Sequence, residues 1–166
     1  MTLVAQPLTA TSFAPFGDVI EVAGAPDKII NQGRCGRYHD LARLDFGPGG
    51  HAGISLFQAE LRMFPYALEL LERHPDGAQA FLPMDRAEYL VTVAPDAGGR
   101  PGAPQAFLAA RGQGVNILRN TWHGVLAPIS GSGTFAVVDR IGAGPNLEEH
   151  WFETPITIHR PEGPEK

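Results

Sequence analysis

Short apolar runs interrupted by glycine and proline are the dominant pattern along this chain. Runs rich in β-branched and aromatic residues occupy 18–22, 53–57, 80–83, 88–93, 106–108, 114–118, 134–138 and 155–159. Each has the length of a strand and falls short of a typical helix, so the pattern predicts about eight strands. Turn clusters punctuate them at 46–50, 98–102, 130–133 and 142–145. Helical signals are few. Residues 8–16 suit one short helical turn capped by Thr9 or Thr11. In 66–72 propensity favours helix, yet Pro65 and Pro75 bracket too short a stretch, so a strand is expected there as well. Many short strands joined by frequent turns predict an all-β sandwich or barrel with few short helices.

Composition sharpens this picture in three ways. Glycine (20) and proline (15) make 35 of the 166 residues, about a fifth where roughly an eighth is usual, which fits a turn-rich β protein. With 43% hydrophobic and 19% charged residues the chain is far from the disordered range, and its length suits one domain, expected over residues 1–160, with 161–166 a frayed tail. Eighteen acidic against thirteen basic residues give a net charge of -5 with no basic cluster. Nucleic acid is therefore an unlikely class of partner to expect, because it demands a basic footprint. The N-terminal stretch has no basic-then-apolar pattern, and nowhere do the ~18 apolar residues of a membrane span run together. Cys35, the single cysteine, cannot close an intramolecular disulfide and suits a reducing compartment, so a cytoplasmic location is expected.

Candidate chemistry concentrates in two stretches. In 72–81, Glu72 and His74 fall on one face of a strand by its period of two. A Pro75-Asp76-Gly77 turn then lets Gln79 return to that face, which gathers an acid, an imidazole and an amide. The second stretch, 112–123, ends in His123 after a strand and a turn. Together the two stretches resemble a degenerate pair of cupin motifs: Glu72 stands at the first histidine, His74 keeps the second, Gln79 replaces the glutamate and His123 keeps the last histidine. Gln is a neutral and weak ligand, so this set would hold a divalent ion less firmly than three His and one Glu. The polar run Arg37, Tyr38, His39 and Asp40 reads on its own as a solvated edge strand. Arg73 should face away from Glu72 and His74 as an ion-pair partner, and Asp139 with Arg140 reads as an ion pair ending a strand.

These pieces also resemble one family along nearly the whole chain. Phe16-Gly17-Asp18-Val19-Ile20-Glu21, Arg37-Tyr38-His39-Asp40-Leu41, Leu71-Glu72-Arg73-His74-Pro75, Gln79-Ala80-Phe81, Pro83-Met84, Gly114-Val115-Asn116, Arg119-Asn120, Trp122-His123 and Asp139-Arg140 match, in order and spacing, the ureidoglycolate lyases. The resemblance implies a cupin-like β-barrel (double-stranded β-helix), a homodimer, and cleavage of ureidoglycolate into glyoxylate and urea in allantoin catabolism. It also implies an association with nickel or a similar divalent ion, with no cofactor strictly required. That reaction collapses a carbinolamide, so it needs a base, an acid, a cation for the carboxylate and groups that recognise urea. His74, His123 and Glu72 are the expected catalytic residues, and with Gln79 the candidate metal ligands. Arg37 or Arg119 suits the carboxylate. Gln79, Asn116 and Asn120 have the amides that urea recognition requires, while Tyr38, His39 and Trp122 would line the pocket. Two alternatives stand beside this reading: an amidohydrolase releasing ammonia and carbon dioxide, and a non-enzymatic barrel that binds a small carboxylate.

Overall fold

Strand alternation divides the apolar residues between two faces, and packing of those faces builds the molecule. A computed structural model describes residues 1–161. The expected tail lies outside the described residues from 162 onward. The chain begins with β1 (Thr2–Val4), β2 (Gln6–Pro7), the short helix α1 (Ala10–Phe13), β3 (Gly17–Ile20), β4 (Lys28–Ile30), β5 (Cys35–Arg37), β6 (His51–Gln58) and β7 (Tyr66–Arg73). It continues through β8 (Gln79–Pro83), β9 (Tyr89–Ala94), β10 (Gln105–Ala109), β11 (Gly114–Ile117), β12 (Trp122–His123), β13 (Ala127–Pro128), β14 (Thr134–Ile141) and β15 (Glu148–His159). All the expected strands are present, 66–72 included. Thr9 caps α1, its hydroxyl accepting from the Ser12 amide at 3.1 Å.

Two sheets face each other. The larger runs β1-β15-β7-β12-β9-β10-β2, with β13 paired to β9, and the smaller runs β3-β11-β8-β14-β6. A separate hairpin joins β4 to β5. Between the sheets, Phe81, Val115, Ile117, Phe135 and Val137 of the smaller sheet meet Tyr89, Val91, Val93, Phe107 and Ala109 of the larger, with Phe13 and Phe16 at the helix end. This nearly closed arrangement is the cupin-like β-barrel expected. A second apolar layer, including Leu68, Leu71, Leu90, Ala94, Trp122 and Ile158, covers the other face of the larger sheet. Every residue of β9 is accordingly buried, which accounts for its unbroken apolar run where a half-exposed strand would alternate.

The expected relation of 72–74 to Gln79 changes in one respect. The turn after β7 does not fold back as a hairpin, because β7 pairs with β12 and β15 whereas β8 pairs with β11 and β14. The chain crosses from one sheet to the other at 74–78. Gln79 thus faces the interior from the opposite wall, on the same face of β8 as the inward Phe81. The expected Asp139–Arg140 ion pair is also replaced: the Arg140 guanidinium donates to the main-chain carbonyls of Phe46 at 2.9 Å and Pro48 at 3.3 Å, and so fastens the 46–50 turn.

Tyr89 generates a test of the core. Its ring meets Phe135 edge-on at 5.1 Å, its hydroxyl has no partner among the described residues, and burial pushes the phenol well above its ordinary value. An unpaired buried hydroxyl costs stability. Tyr89→Phe is expected to raise the unfolding free energy by about 1 kcal/mol in urea denaturation; a loss of similar size would mean that the hydroxyl is bonded.

Candidate active site

Strand register assembles the site. Glu72, next to last in β7, lies directly opposite His123 at the end of β12, and His123 in turn lies opposite the inward-facing Val93. His74 follows one residue after β7 ends. One nitrogen from each imidazole and one Glu72 oxygen lie within 4.8 Å of one another, and the two rings are 5.2 Å apart.

Each imidazole is fixed by a main-chain carbonyl. His74 Nδ1 is 2.6 Å from the Asn146 oxygen, and His123 Nδ1 is 3.1 Å from the Gly124 oxygen. A carbonyl only accepts, so these partners assign the ring proton to Nδ1 in both residues. Nε2 is left on each ring as a buried nitrogen with no protein partner. The Gln79 side-chain oxygen is likewise buried and unpaired.

The electrostatics follow from burial. His123 is 1% exposed. Burial, reinforced by the neighbouring His74, pushes it down to about 3, against a smaller upward effect of its bond to Gly124. The 4.0 Å approach of His123 to Glu72 is therefore a contact between a neutral ring and a carboxyl group, not an ion pair. Burial also raises Glu72 above the ordinary carboxylate value; attraction to His74 opposes this and repulsion from Glu149 adds to it.

Around this centre the other candidates divide. Arg119 and Asn120 adjoin it: the Asn120 amide donates to the His74 carbonyl at 2.9 Å, and Asn120 adopts a left-handed φ of 65° there. Arg119 Nε donates to the Pro75 carbonyl at 2.6 Å. Arg73 faces the other way, as expected, and joins Asp96 at 2.7 Å and Glu148. Trp122 lies on that same far face, its indole donating to Asp96 at 2.9 Å under the Arg73 guanidinium. It therefore does not line the pocket as expected, being separated from the imidazoles by the strand.

Asn116 and residues 37–39 are not brought to the centre. Val115 and Ile117 of β11 face the core, so Asn116 between them faces outward. There its amide donates to Asp18 at 3.0 Å and to the Arg43 carbonyl at 3.1 Å. Tyr38 borders the outer surface of the smaller sheet with Leu41, Leu44, Ala80, Leu82 and Val138. The Tyr38 hydroxyl donates to the Gly24 carbonyl at 3.0 Å and the His39 amide donates to Asp27 at 2.8 Å; Arg37 is exposed on the β4–β5 hairpin.

Two neighbours of the centre were not foreseen. Asn146 supplies the His74 partner through its main chain, a contact that residue type cannot signal. Glu149 lies beside Glu72 in register, in a segment whose strand pairing was not anticipated.

Two imidazoles, each with a buried nitrogen that has no partner, and a carboxylate form a donor set that suits a divalent ion of the zinc or nickel kind. The carbonyl on each Nδ1 is the usual outer support of a metal-binding histidine. His74, His123 and Glu72 are the residues that fit such an ion.

Two facing sheets around an inward cluster of two imidazoles and an acid define a cupin-type barrel. Comparison with known proteins narrows the class. A family profile described as ureidoglycolate lyase matches residues 1–159. Ureidoglycolate lyase of Rhodobacter capsulatus is 61% identical over 156 residues, which cover 94% of this chain and 97% of that protein. Ureidoglycolate lyase 2 of Rhizobium meliloti is 51% identical, with 92% and 94% covered, and the protein of a Chelativorans species is 48% identical, with 96% and 98% covered. This chain belongs to the ureidoglycolate lyase family.

Burial of His123 gives a pH prediction. Unfolded, the imidazole takes a proton near 6.5, whereas the folded protein holds it neutral down to about 3. Because the folded value is depressed, the corresponding stability is intact above 6.5 and is lost as the pH falls from there toward 3. Between pH 7.5 and 5, wild-type protein should lose about 2 kcal/mol more unfolding free energy than His123→Asn, as measured in urea at both values. Equal losses would contradict a neutral buried His123.

Proposed function

We propose that this chain is a ureidoglycolate lyase that splits ureidoglycolate into glyoxylate and urea, within a single domain spanning 1–160. The observation that carries the reading is the pair of imidazoles, His123 buried and His74 half-buried, each with Nδ1 committed to a carbonyl and Nε2 without a partner, in one cluster with the Glu72 carboxyl. Ureidoglycolate bears a hydroxyl, a ureido nitrogen and a carboxylate on one carbon. Its cleavage removes the hydroxyl proton, forms the aldehyde carbonyl and breaks the C–N bond as urea takes up a proton.

The residues divide those tasks. His74, the less buried imidazole, accepts the hydroxyl proton at Nε2. His123, kept neutral by burial, accepts a hydrogen bond and orients the substrate without competing for the proton. Glu72, whose burial raises its proton affinity, returns a proton to the departing nitrogen. Arg119 is the guanidinium next to the His74 turn and is assigned to the substrate carboxylate. Gln79 and Asn120 offer amide groups to the ureido end. A divalent ion held by His74, His123 and Glu72, with Gln79 opposite, would take up Nε2 of His74 and would supply, in place of that base, a Lewis acid that lowers the hydroxyl pKa.

The same reading places the enzyme in allantoin degradation. Its exposed lone thiol, Cys35, suits the reducing cytoplasm. No helix among the described residues is long and apolar enough to cross a membrane. A homodimer is also part of the proposal. β6 forms one edge of its sheet, has no charged residue or proline in its eight residues, and exposes Ile54 and Leu56. Such an edge invites antiparallel pairing with a second copy of itself across a two-fold axis.

Purified protein incubated with ureidoglycolate should release urea and glyoxylate in equal amounts above the spontaneous rate. His74→Ala should lower kcat/KM by about 100-fold or more, and a chelator should slow wild-type turnover until nickel is restored. Ammonia in place of urea would favour amidohydrolysis, and no product above background would leave a binding barrel. Light scattering should give twice the mass of one chain, reduced to one chain in Ile54→Lys/Leu56→Lys; a monomeric wild type would refute the dimer.

A further inference from the structure

The linker 142–147 between β14 and β15 is Gly-Ala-Gly-Pro-Asn-Leu, a sequence with little to bury and no regular structure. Asn146 is the one half-buried residue of 141–149. Two short hydrogen bonds account for that. Its main-chain oxygen meets His74 Nδ1 at 2.6 Å, and its side-chain oxygen accepts from the Asp76 amide at 2.7 Å. One residue thus grips both ends of the 74–76 turn. The His74 carbonyl is engaged separately, by the Asn120 amide at 2.9 Å, so the His74 backbone is held from one side and its ring from another.

This has a chemical consequence for the ring. An imidazole free in water exchanges its proton between the two nitrogens. Of the two neutral forms, a carbonyl at Nδ1 admits only Nδ1–H, which leaves the Nε2 lone pair as the reactive one. The carbonyl can do so only while the linker stays seated, and among the described contacts of Asn146 the side-chain bond to Asp76 is what seats it.

We infer that Asn146 is a positioning residue for His74: its side chain anchors the 142–147 linker on the 74–76 turn, so that its own carbonyl fixes His74 as the Nδ1–H tautomer. The inference rests on the reading of His74 as a residue of the lyase site. Asn146 itself touches neither substrate nor reacting atoms in this account. A loop staple with no other role would predict a different outcome, in which loss of the side chain lowers stability but leaves the ring unchanged.

The test reads the ring directly. Long-range proton–nitrogen correlation spectra of the ¹⁵N-labelled, chelator-treated full-length protein identify the His74 tautomer, with His74→Gln providing the assignment. Wild type and Asn146→Asp, whose carboxylate can still accept from the Asp76 amide, should show Nδ1–H. Asn146→Ala should show a mixture containing the Nε2–H form, together with a fall in kcat of about tenfold or more at nearly unchanged KM. Should the alanine variant fail to fold, Asn146→Ser, which shortens the acceptor, should give the same mixture. A His74 that remains Nδ1–H without the Asn146 side chain overturns the inference, whatever happens to stability. A tautomer that shifts in a protein whose wild type shows no turnover supports the placement of His74 by Asn146 and sinks the lyase reading instead.

Discussion

A fully buried imidazole, His123, packed against a second imidazole and a carboxyl group is the interaction on which the architecture of the site depends. Two charged rings at a centroid separation of 5.2 Å in a dry interior would repel strongly. The fold avoids this by burying His123, whose ring stays neutral down to about 3 although its bond to Gly124 acts weakly the other way, while main-chain carbonyls orient both rings. The result is a free, buried Nε2 on each ring, with the Glu72 carboxyl 4.0 Å from His123 Nδ1. Neutral imidazole nitrogens and a carboxylate are what both proton exchange and divalent-metal ligation require, so one arrangement serves either role.

The scaffold places these groups by register more than by loops. Glu72 and His123 are a cross-strand pair, so their separation is fixed by the ladder between β7 and β12. His74 lies where the chain leaves the larger sheet, and Gln79 where it enters the smaller one. The site therefore occupies the crossing between the two sheets, and its lining inherits the rigidity of both. The 46–50 turn, fastened by Arg140, and the 142–147 linker, fastened by Asn146, pack around that crossing from outside. Each clamp joins a side chain to a main-chain group, a carbonyl for Arg140 and the Asp76 amide for Asn146, which explains how segments so rich in glycine hold a defined shape.

Much of this was legible in the residues. Alternation and turn clusters gave the strands and the fold class; the strand period joined Glu72 to His74, and resemblance to the cupin motifs added His123. What stayed hidden depended on partners. β1, β2, β12 and β13 are only two or three residues long and exist as strands because of what they pair with. The first half of β15 was missed because Glu148, Glu149, His150 and Trp151 look like a solvated edge until β7 is laid beside them. Asn116 attracted interest as an amide, yet the flanking Val115 and Ile117 already implied that it faces away from the core. Asn146 could not be found in this way, since its contact with His74 is made by a carbonyl that every residue possesses.

The central claim is that substrate is held at the His74–Glu72–His123 cluster. It is tested most directly by a crystal structure of the protein with ureidoacetate, which keeps the carboxylate and ureido group of ureidoglycolate but lacks the hydroxyl. The account predicts density between the two imidazoles and Glu72, with the carboxylate on Arg119. Density confined to the groove beside Leu61 and Tyr66, or to the outer surface beside Tyr38, would contradict it.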